Sequence, residues 1–513
     1  MNAPGGGMEI RVDRASTEPI YRQVAAAIRA DAGAGRLPGG TKLPSTRELS
    51  RSLGVHRNTV VEAYHLLERE GVVRSGVGAG TFVVAPPGAE ERDATGRGAP
   101  FAWGRLMRPA GQGEADPSRL LRPRAGEVPA DPIQLTGAIA DRRHFPLDDF
   151  ATALREVMAE ADTGLLDYSP PEGDRALRAW IVEWLGACGV AGLSESRVFI
   201  VSGSQQGLDL LARLFLVPGD AVVVEAPTYH GACAVLQHAG ARMLTVPMEP
   251  EGLSLSALAA RLRDATPKFL YTMPGFQNPT GISLPAERRE LLLRLARRER
   301  LAIVEDHFDS ELYYEGTRPR PLLADDTDGQ VIHLGTFSKM LFPGLRLGWL
   351  IVPRELVEPV RQLRWAADLA SATLTQRAME RFCRAGYLER HLRRIRRVNA
   401  RRLEAMLQAL AAHFPDEARW TRPTGGLTLW VELPETIDTQ ELFHEAAARG
   451  VLFSPGAAFY PDGGGRHGMR LSFNRESEAR IARGIVRLGE LIGARLRARR
   501  TSGRRRTEAV PLL

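Results

Sequence analysis

Lysine is almost missing from this chain. Lysine and arginine together number 68 in 513 residues, yet only Lys42, Lys268 and Lys339 are lysine. Arginine stays protonated and spreads its charge over three nitrogens, so it cannot act as an amine nucleophile; lysine can lose its proton and do so. A lysine kept in such a background is a candidate for chemistry that arginine cannot perform. Lys339 stands out by its neighbours, Thr336-Phe337-Ser338-Lys339, with Arg346 seven residues later. Cysteine is scarce as well. Cys188, Cys233 and Cys383 are far apart and have no disulfide or metal spacing, which excludes a disulfide framework and leaves no metal site to expect. There is no run of about 18 apolar residues, the length a membrane helix needs. The first residues, MNAPGGGMEIRVDR, have no apolar stretch and do not resemble a signal peptide. The expectation is a reducing, cytoplasmic location with no membrane association.

What is present points to several domains. A chain of this length outgrows one hydrophobic core. With 44% hydrophobic residues and charges of mixed sign, bulk disorder is excluded. The net charge of +7 hints at a polyanionic partner. Seven arginines and no acid fall within residues 495–506, however, so this stretch alone can account for the excess. It reads as a solvated, disordered basic tail over residues 494–513. Residues 18–84 read as a compact unit of short helices ending in a hairpin. Residues 85–131 are rich in Pro, Gly and Arg and read as a flexible linker. Over residues 132–493 apolar runs alternate with amphipathic helices. Val198–Val201, Ala221–Val224, Phe269–Thr272, Ala302–Val304, Val331–Leu334 and Gly348–Val352 are the strand candidates. That alternation predicts an α/β body with a mostly parallel sheet.

The small unit has the pattern of a DNA reader. Pro19–Ala34 predicts a first helix with Ile20, Val24 and Ile28 on one face. Ser45 followed by Glu48 is a capping box opening a second helix, and Gly54 ends it. A third helix opens at Val55-His56-Arg57-Asn58-Thr59-Val60 and runs to about Glu70. Leu49, Leu53, Val55, Val60, Tyr64 and Leu67 can close one small core. Two strands, Gly71–Arg74 and Gly80–Val83, flank a wing at Ser75–Ala79. Two helices about a glycine turn plus a hairpin predict a winged helix-turn-helix. Its second helix would present Arg57, Asn58 and Thr59 to the major groove, where Arg can chelate guanine and Asn adenine. Arg47, on the preceding helix, can grip a phosphate.

Six segments of the body fit one cofactor chemistry. Ser202-Gly203-Ser204-Gln205-Gln206-Gly207 follows a strand and opens a helix, a cup suited to a phosphate. Ala226-Pro227-Thr228-Tyr229 offers a ring to stack on a flat cofactor. Asn278, in Gln277-Asn278-Pro279-Thr280-Gly281, can donate to a phenolic oxygen. Asp306, at the end of Leu301–Glu305, can pair with a protonated ring nitrogen. Lys339 would form a Schiff base, with Thr336, Ser338 and Arg346 closing on the phosphate. Arg470, in Met469-Arg470-Leu471-Ser472-Phe473, could fork onto an effector's or substrate's carboxylate. The electronic logic is that of pyridoxal 5'-phosphate, an electron sink only while its ring nitrogen keeps a proton.

LPSTRELSRSLGVHRNTVVEAYHLLEREGVV with GAGTFV resembles the winged helix-turn-helix of the GntR family of bacterial regulators. The resemblance implies that Arg47, Arg57, Asn58, Thr59 and the wing's Gly80 approach DNA. Relatives mostly carry Ser or Thr where this chain has His56. The body resembles fold-type I aminotransferases over roughly 132–493, through SGSQQGL, PTY, QNPTG, TFSKML and MRLSF. Together the two halves resemble the MocR/GabR subfamily of GntR regulators. That implies pyridoxal phosphate on Lys339, with Asp306 at the ring nitrogen, Asn278 at the 3'-oxygen, Tyr229 stacking and Arg470 on an amino-acid carboxylate. It also implies a head-to-tail homodimer on a double-stranded DNA operator, responsive to the cofactor itself or to an amino acid or amine.

One departure stands out. Relatives carry Tyr two residues after the aspartate, whereas this chain reads Glu305-Asp306-His307-Phe308-Asp309, so Phe308 lacks the phenol that would reach the 3'-oxygen. One hydrogen bond is lost, worth roughly 1 kcal/mol, and residual transaminase chemistry should fall. Three functions are open at this point: a regulator, an aminotransferase with a DNA-tethering head, and a scaffold that only dimerises the head. A linker of about 45 residues can span tens of ångströms as a coil, so the two heads need not be two-fold related. Direct repeats and palindromes are both open as operators.

Overall fold

The computed structural model describes residues 10, 12–14, 16, 18–33, 37, 40–76, 80–84, 117–124, 128–160 and 163–507. The chain divides into two units, Met1–Pro109 and Ala110–Leu513. Residues 85–116 and 125–127 of the expected linker and the wing tip at 77–79 lie outside the described residues.

The first unit contains α1 (Ile20–Gly33), α2 (Thr46–Leu53), α3 (Arg57–Arg69), β1 (Val73–Gly76) and β2 (Gly80–Val83). Val24, Ile28, Leu43, Leu49, Val60, Tyr64, Leu67, Val73 and Val83 bury their side chains together. The two strands pair antiparallel from Val73↔Val83 to Gly76↔Gly80. Ser45 caps α2 by accepting from Glu48 N–H, and Ser45 N–H in turn donates to Glu48 Oε2 at 2.8 Å. Gly54 then takes φ 60°, the left-handed region where a Cβ is unfavourable, and turns the chain into α3.

The second unit runs β3 (Ile133–Gln134), α4 (Leu147–Ala159), α5 (Arg175–Gly186), β4 (Val198–Val201), α6 (Ser204–Phe215), β5 (Ala221–Ala226), α7 (His230–His238), β6 (Arg242–Glu249), β7 (Gly252–Leu253), α8 (Leu255–Asp264), β8 (Phe269–Thr272), α9 (Ala286–Glu299), β9 (Ala302–Asp306), β10 (Val331–Thr336) and β11 (Gly348–Ile351). It continues with α10 (Val357–Asp368), α11 (Thr373–Arg384), α12 (Tyr387–His413), β12 (Arg419–Trp420), β13 (Thr428–Glu432), α13 (Thr439–Ala448), β14 (Val451–Leu452), β15 (Ser454–Pro455), β16 (Gly468–Ser472) and α14 (Glu478–Thr507). An eight-stranded sheet has the order β4-β11-β10-β9-β8-β5-β6-β7. All its strands run one way except β11 and β7. Strands such as Val198–Val201 and Phe269–Thr272 are buried at every residue, as a sheet covered on both faces requires. Alternate residues feed opposite cores. Leu270 and Ile303 go to one, Phe269, Tyr271 and Val304 to the other. A smaller four-stranded sheet, β12-β13-β16-β15, packs with α12, α13 and α14 around a third core.

Two expectations are corrected here. The tail read as disordered from residue 494 is helical as far as Thr507, because α14 carries its apolar face through Leu488, Leu491 and Ile492, and Arg495 pairs with Glu445 at 2.8 Å. The linker read as flexible to 131 is also ordered near its end. Pro117–Leu121 forms a 3-10 turn whose Leu120 and Leu121 pack on Trp430, Ala458 and Phe459.

Candidate cofactor site and nucleic-acid interface

The sheet brings the chemistry-bearing segments of the body to one edge. The chain leaves β4 into Ser202–Gly203, β5 into Pro227–Tyr229, β8 into 275–281 and β10 into Phe337–Lys339; Asp306 is the last residue of β9. The carboxyl ends of parallel strands are where α/β sheets hold ligands. Arg346 and Gly348 enter this edge in the opposite sense, on the way into antiparallel β11. Arg470 comes from β16 of the smaller sheet, paired in register with Trp430 and Ser454.

Lys339 is half-buried. Burial, and after it the charge of Arg470, lowers its amine to about 8, while Asp309 and Asp306 oppose the shift. Asp306 is 4% exposed and is pushed up to about 6 by burial, against a hydrogen bond from Tyr271 Oη to Oδ2 at 2.8 Å and the charges of His333 and Lys339. Its other oxygen, Oδ1, is buried with no partner among the described residues. A cationic ring N–H set there would satisfy that oxygen and draw the carboxyl back to its ionised form. Arg470 donates to Asn278 Oδ1 at 2.9 Å and to Ser454 Oγ at 3.2 Å, and its Nε has no partner among the described residues. Tyr229 lies within electrostatic reach of Asp306, Arg470 and Arg346, and burial raises its phenol.

The phosphate cup is built from backbone and short side chains. α6 opens at Ser204 behind Gly203, whose φ is 84°. A Cβ on Gly203 would meet Arg346 Nη2 at 2.8 Å. Arg346 donates to the Ser202 carbonyl at 2.6 Å and faces Ser338 Oγ at 3.4 Å. Thr336 Oγ1 accepts from Ser338 N–H at 3.1 Å. Gln205 reaches Gly231 O at 2.8 Å and leaves its Oε1 buried and unpartnered among the described residues. Cationic fork, hydroxyls and helix N-terminus thus converge as an anion needs.

Some features carried no motif. Tyr271 supports Asp306, and its position inside a strand gave no sign of that. Phe308 packs with Tyr271, Val304 and Leu334 in the core. Asp309 joins the site instead, buried at 2%. Glu225 receives Thr272 Oγ1, Met273 N–H and Gln277 Nε2, tying the Pro227 loop to the Asn278 loop. Glu305, His307 and His333 bring three ligand-type atoms within 4.8 Å, a grouping that spacing in sequence did not reveal. Glu305 is already engaged by Leu322 N–H at 2.5 Å and by His333 Nδ1 at 2.9 Å, which fits a pin between β9, β10 and the turn at Leu322.

In the first unit Arg47, Arg57 and Asn58 are exposed, and Thr59 is half-buried. His56 is the N-cap of α3. Its Nδ1 accepts from Asn58 N–H at 3.3 Å, the bond a Ser or Thr would make. Arg57 rests beside Thr46 Oγ1 at 3.4 Å. Gly80 has φ 105°, and a Cβ there would meet Lys42 Cε at 2.8 Å, so Lys42 stands at the base of the wing. Rarity alone marks Lys42 in the sequence.

Comparison with known proteins follows the same division. Residues 136–488 match the model of aminotransferase class I and II, and residues 20–83 that of bacterial regulatory proteins, gntR family. The HTH-type transcriptional regulator TauR of Rhodobacter capsulatus is 32% identical over 496 residues, covering 96% of this chain and 98% of TauR. The probable rhizopine catabolism regulatory protein MocR of Rhizobium meliloti is 34% identical over 448 residues, 86% of this chain and 88% of that protein. The crystal structure of LysN, the α-aminoadipate aminotransferase of Thermus thermophilus complexed with N-(5'-phosphopyridoxyl)-L-leucine, aligns with TM-score 0.71 and 35% identity over 78% of this chain and all of that one. Aminotransferases of this class depend on pyridoxal phosphate, and the Asp306 oxygen left unpartnered among the described residues, the glycine-lined anion cup and the half-buried lysine fit that group. The chain therefore belongs to the MocR/GabR subfamily of GntR regulators, a GntR helix-turn-helix joined to a fold-type I, aminotransferase class I and II domain that uses pyridoxal phosphate.

Proposed function

We propose that the protein is a cytoplasmic DNA-binding transcriptional regulator whose aminotransferase-like body binds pyridoxal phosphate, and with it an amino acid or amine, to set the head's affinity for an operator. The observation that carries this reading is one chain that joins an anion cup and a half-buried Lys339 of lowered pKa to a capped reading helix. When bound, pyridoxal phosphate supplies an aldehyde for covalent capture and a ring that accepts electrons.

The residues divide the work. Lys339, largely deprotonated somewhat above pH 8, would offer the amine that holds the cofactor. Asp306 holds the ring-nitrogen proton through its free Oδ1. Tyr229 would stack on the ring, and Asn278, anchored by Arg470, would hold the 3'-oxygen side. Ser204, Gln205, Thr336, Ser338 and Arg346 bind the phosphate. Arg470, with Nε unpartnered among the described residues, receives an effector carboxylate. In the head, Arg57 and Asn58 read bases, Thr59 and Arg47 contact backbone, and Gly80 lets the wing approach DNA closely. A ligand that binds one conformational state better shifts DNA affinity by that difference.

The active unit in this reading is a head-to-tail homodimer. Leu166 and Tyr168 are 79% and 81% exposed, and Trp365 and Leu369 are also exposed. The two segments are stitched by Ser169 Oγ to Ser371 O and Thr373 Oγ1 to Asp167 O. An apolar patch of this kind suits a second copy. Sedimentation of a monomer at micromolar concentration would contradict it.

A gel shift on DNA upstream of the protein's own gene, with apo protein, added cofactor and candidate amines, tests the function. A specific shift that changes with cofactor supports the regulator. The second reading, an aminotransferase tethered to DNA, is favoured by the intact Lys339, Asp306 and Arg470. Keto acid formed in the same tubes, with no specific shift, would replace the first reading with the second.

A further inference from the structure

The body's site holds a second buried carboxyl that these roles leave unused. Asp309 lies three residues beyond Asp306, is 2% exposed, and its Oδ1 has no hydrogen-bond partner among the described residues. Its loop is fixed. Leu312 N–H donates to Asp309 O at 2.8 Å, and Gly426 N–H to Leu312 O at 2.9 Å. A Cβ on Gly426 would come within 3.2 Å of Asp309 Oδ2, so the carboxyl is seated against bare backbone. The ionisable groups facing it are Asp306 at the end of β9, Lys339 beyond β10 and Tyr314 on the following turn.

Two carboxyls in one water-poor pocket do not both ionise readily. The charge settles on the one with better partners. Each has an unpartnered Oδ1 among the described residues, but Asp306 also accepts the Tyr271 hydroxyl at 2.8 Å, whereas Asp309 has only its own backbone N–H to lean on. Burial first, and then the charge of Asp306, push Asp309 well above the usual carboxylate range. Asp309 is thus the acid of the pair. A buried O–H with no acceptor is unfavourable, so the arrangement calls for an acceptor on a bound molecule. Phe308, turned into the core, presents no hydroxyl of its own.

We propose that Asp309 is a further residue of the cofactor site and donates a hydrogen bond from its carboxyl to the 3'-oxygen of bound pyridoxal phosphate, the contact that Phe308 cannot make. The inference rests on the cofactor reading above. A donor at that oxygen stabilises its anion and eases loss of the proton from the neighbouring nitrogen. Removing the donor therefore raises the pH at which the bound cofactor's visible band gives way to its near-ultraviolet band.

The test is that titration on full-length holoprotein, for the parent, Asp309→Leu and Asp309→Asn. The leucine variant should raise the midpoint by about one pH unit or more, a tenfold change in proton affinity. The asparagine variant, whose amide N–H still donates, should stay near the parent. An unchanged midpoint in Asp309→Leu overturns the proposal. So does a lowered midpoint in both variants, the sign of a charged Asp309. If the leucine variant does not fold, Asp309→Asn decides alone. A midpoint near the parent supports the donor, and a fall of about one unit overturns it. A parent protein that takes up no cofactor at all would instead remove the cofactor reading, and this is seen before any variant is compared.

Discussion

The two regions that carry function are built on opposite principles. The body's site works by enclosure. Asp306, Asp309 and Arg470 are taken out of water and Lys339 is half-buried, and each has its proton affinity moved by burial. The head's reading face works by exposure. Arg47, Arg57 and Asn58 stand in solvent, and the structure's effort goes into the cap, turn and small core that aim them. A site that must alter a bound molecule's electronics needs low dielectric and unpartnered atoms. A site that must trade water for base edges and phosphates needs reach and orientation.

The contrast can be broken most severely at Lys339. Lys339→Ala should remove all borohydride-trappable cofactor while the protein stays folded, read as absorbance carried with the purified chain after reduction. A retained covalent adduct would falsify the Schiff-base role. Next in size is Arg57→Ala. Loss of a bidentate base contact should weaken specific binding by roughly 1–3 kcal/mol, about fivefold to 150-fold, with cofactor absorbance unchanged. Equal loss on specific and random DNA in an anisotropy titration would reassign Arg57 to the backbone.

The enclosure itself has a pH signature. A lysine lowered to about 8 has its free amine in hand above that pH, so cofactor uptake by apo protein should rise through a midpoint near 8. Stopped-flow absorbance with a midpoint near that of an ordinary lysine would show that the amine is not buried in solution. The smallest effect belongs to the head's scaffolding. Ser45→Ala deletes half of the capping box and should cost the head about 1 kcal/mol, seen as a lower melting temperature for that unit alone. No change would mean that Glu48 and the small core hold α2 without the cap.

Legibility in sequence follows the same division. The head's helices were readable to within two residues, because caps, turns and helical periodicity are local; the first wing strand, expected at Gly71–Arg74, lies two residues later at Val73–Gly76. Ser45, Glu48 and Gly54 announce their roles within a few positions. The large sheet was also readable in its central strands, since buried parallel strands leave unbroken apolar runs. What was hidden depends on contacts between distant segments. Tyr271 finds Asp306 across 35 positions, and Glu225 finds Gln277 across 52. Asp309 looks like an ordinary acid until the fold removes its water. The basic end of the chain misled for a related reason. Its arginines suggest a solvated coil, but they continue a helix whose Ile485, Leu488 and Ile492 are buried in the core.

The most direct test of the regulator reading couples the two regions. Operator affinity would be measured by anisotropy for the parent and for Lys339→Ala, each with and without pyridoxal phosphate. The predicted result is a cofactor-dependent change of at least about fivefold in the parent, the low end of ordinary allosteric coupling, and none in Lys339→Ala. Parent affinity that is identical with and without cofactor and candidate amines, alongside proven cofactor binding, would contradict it.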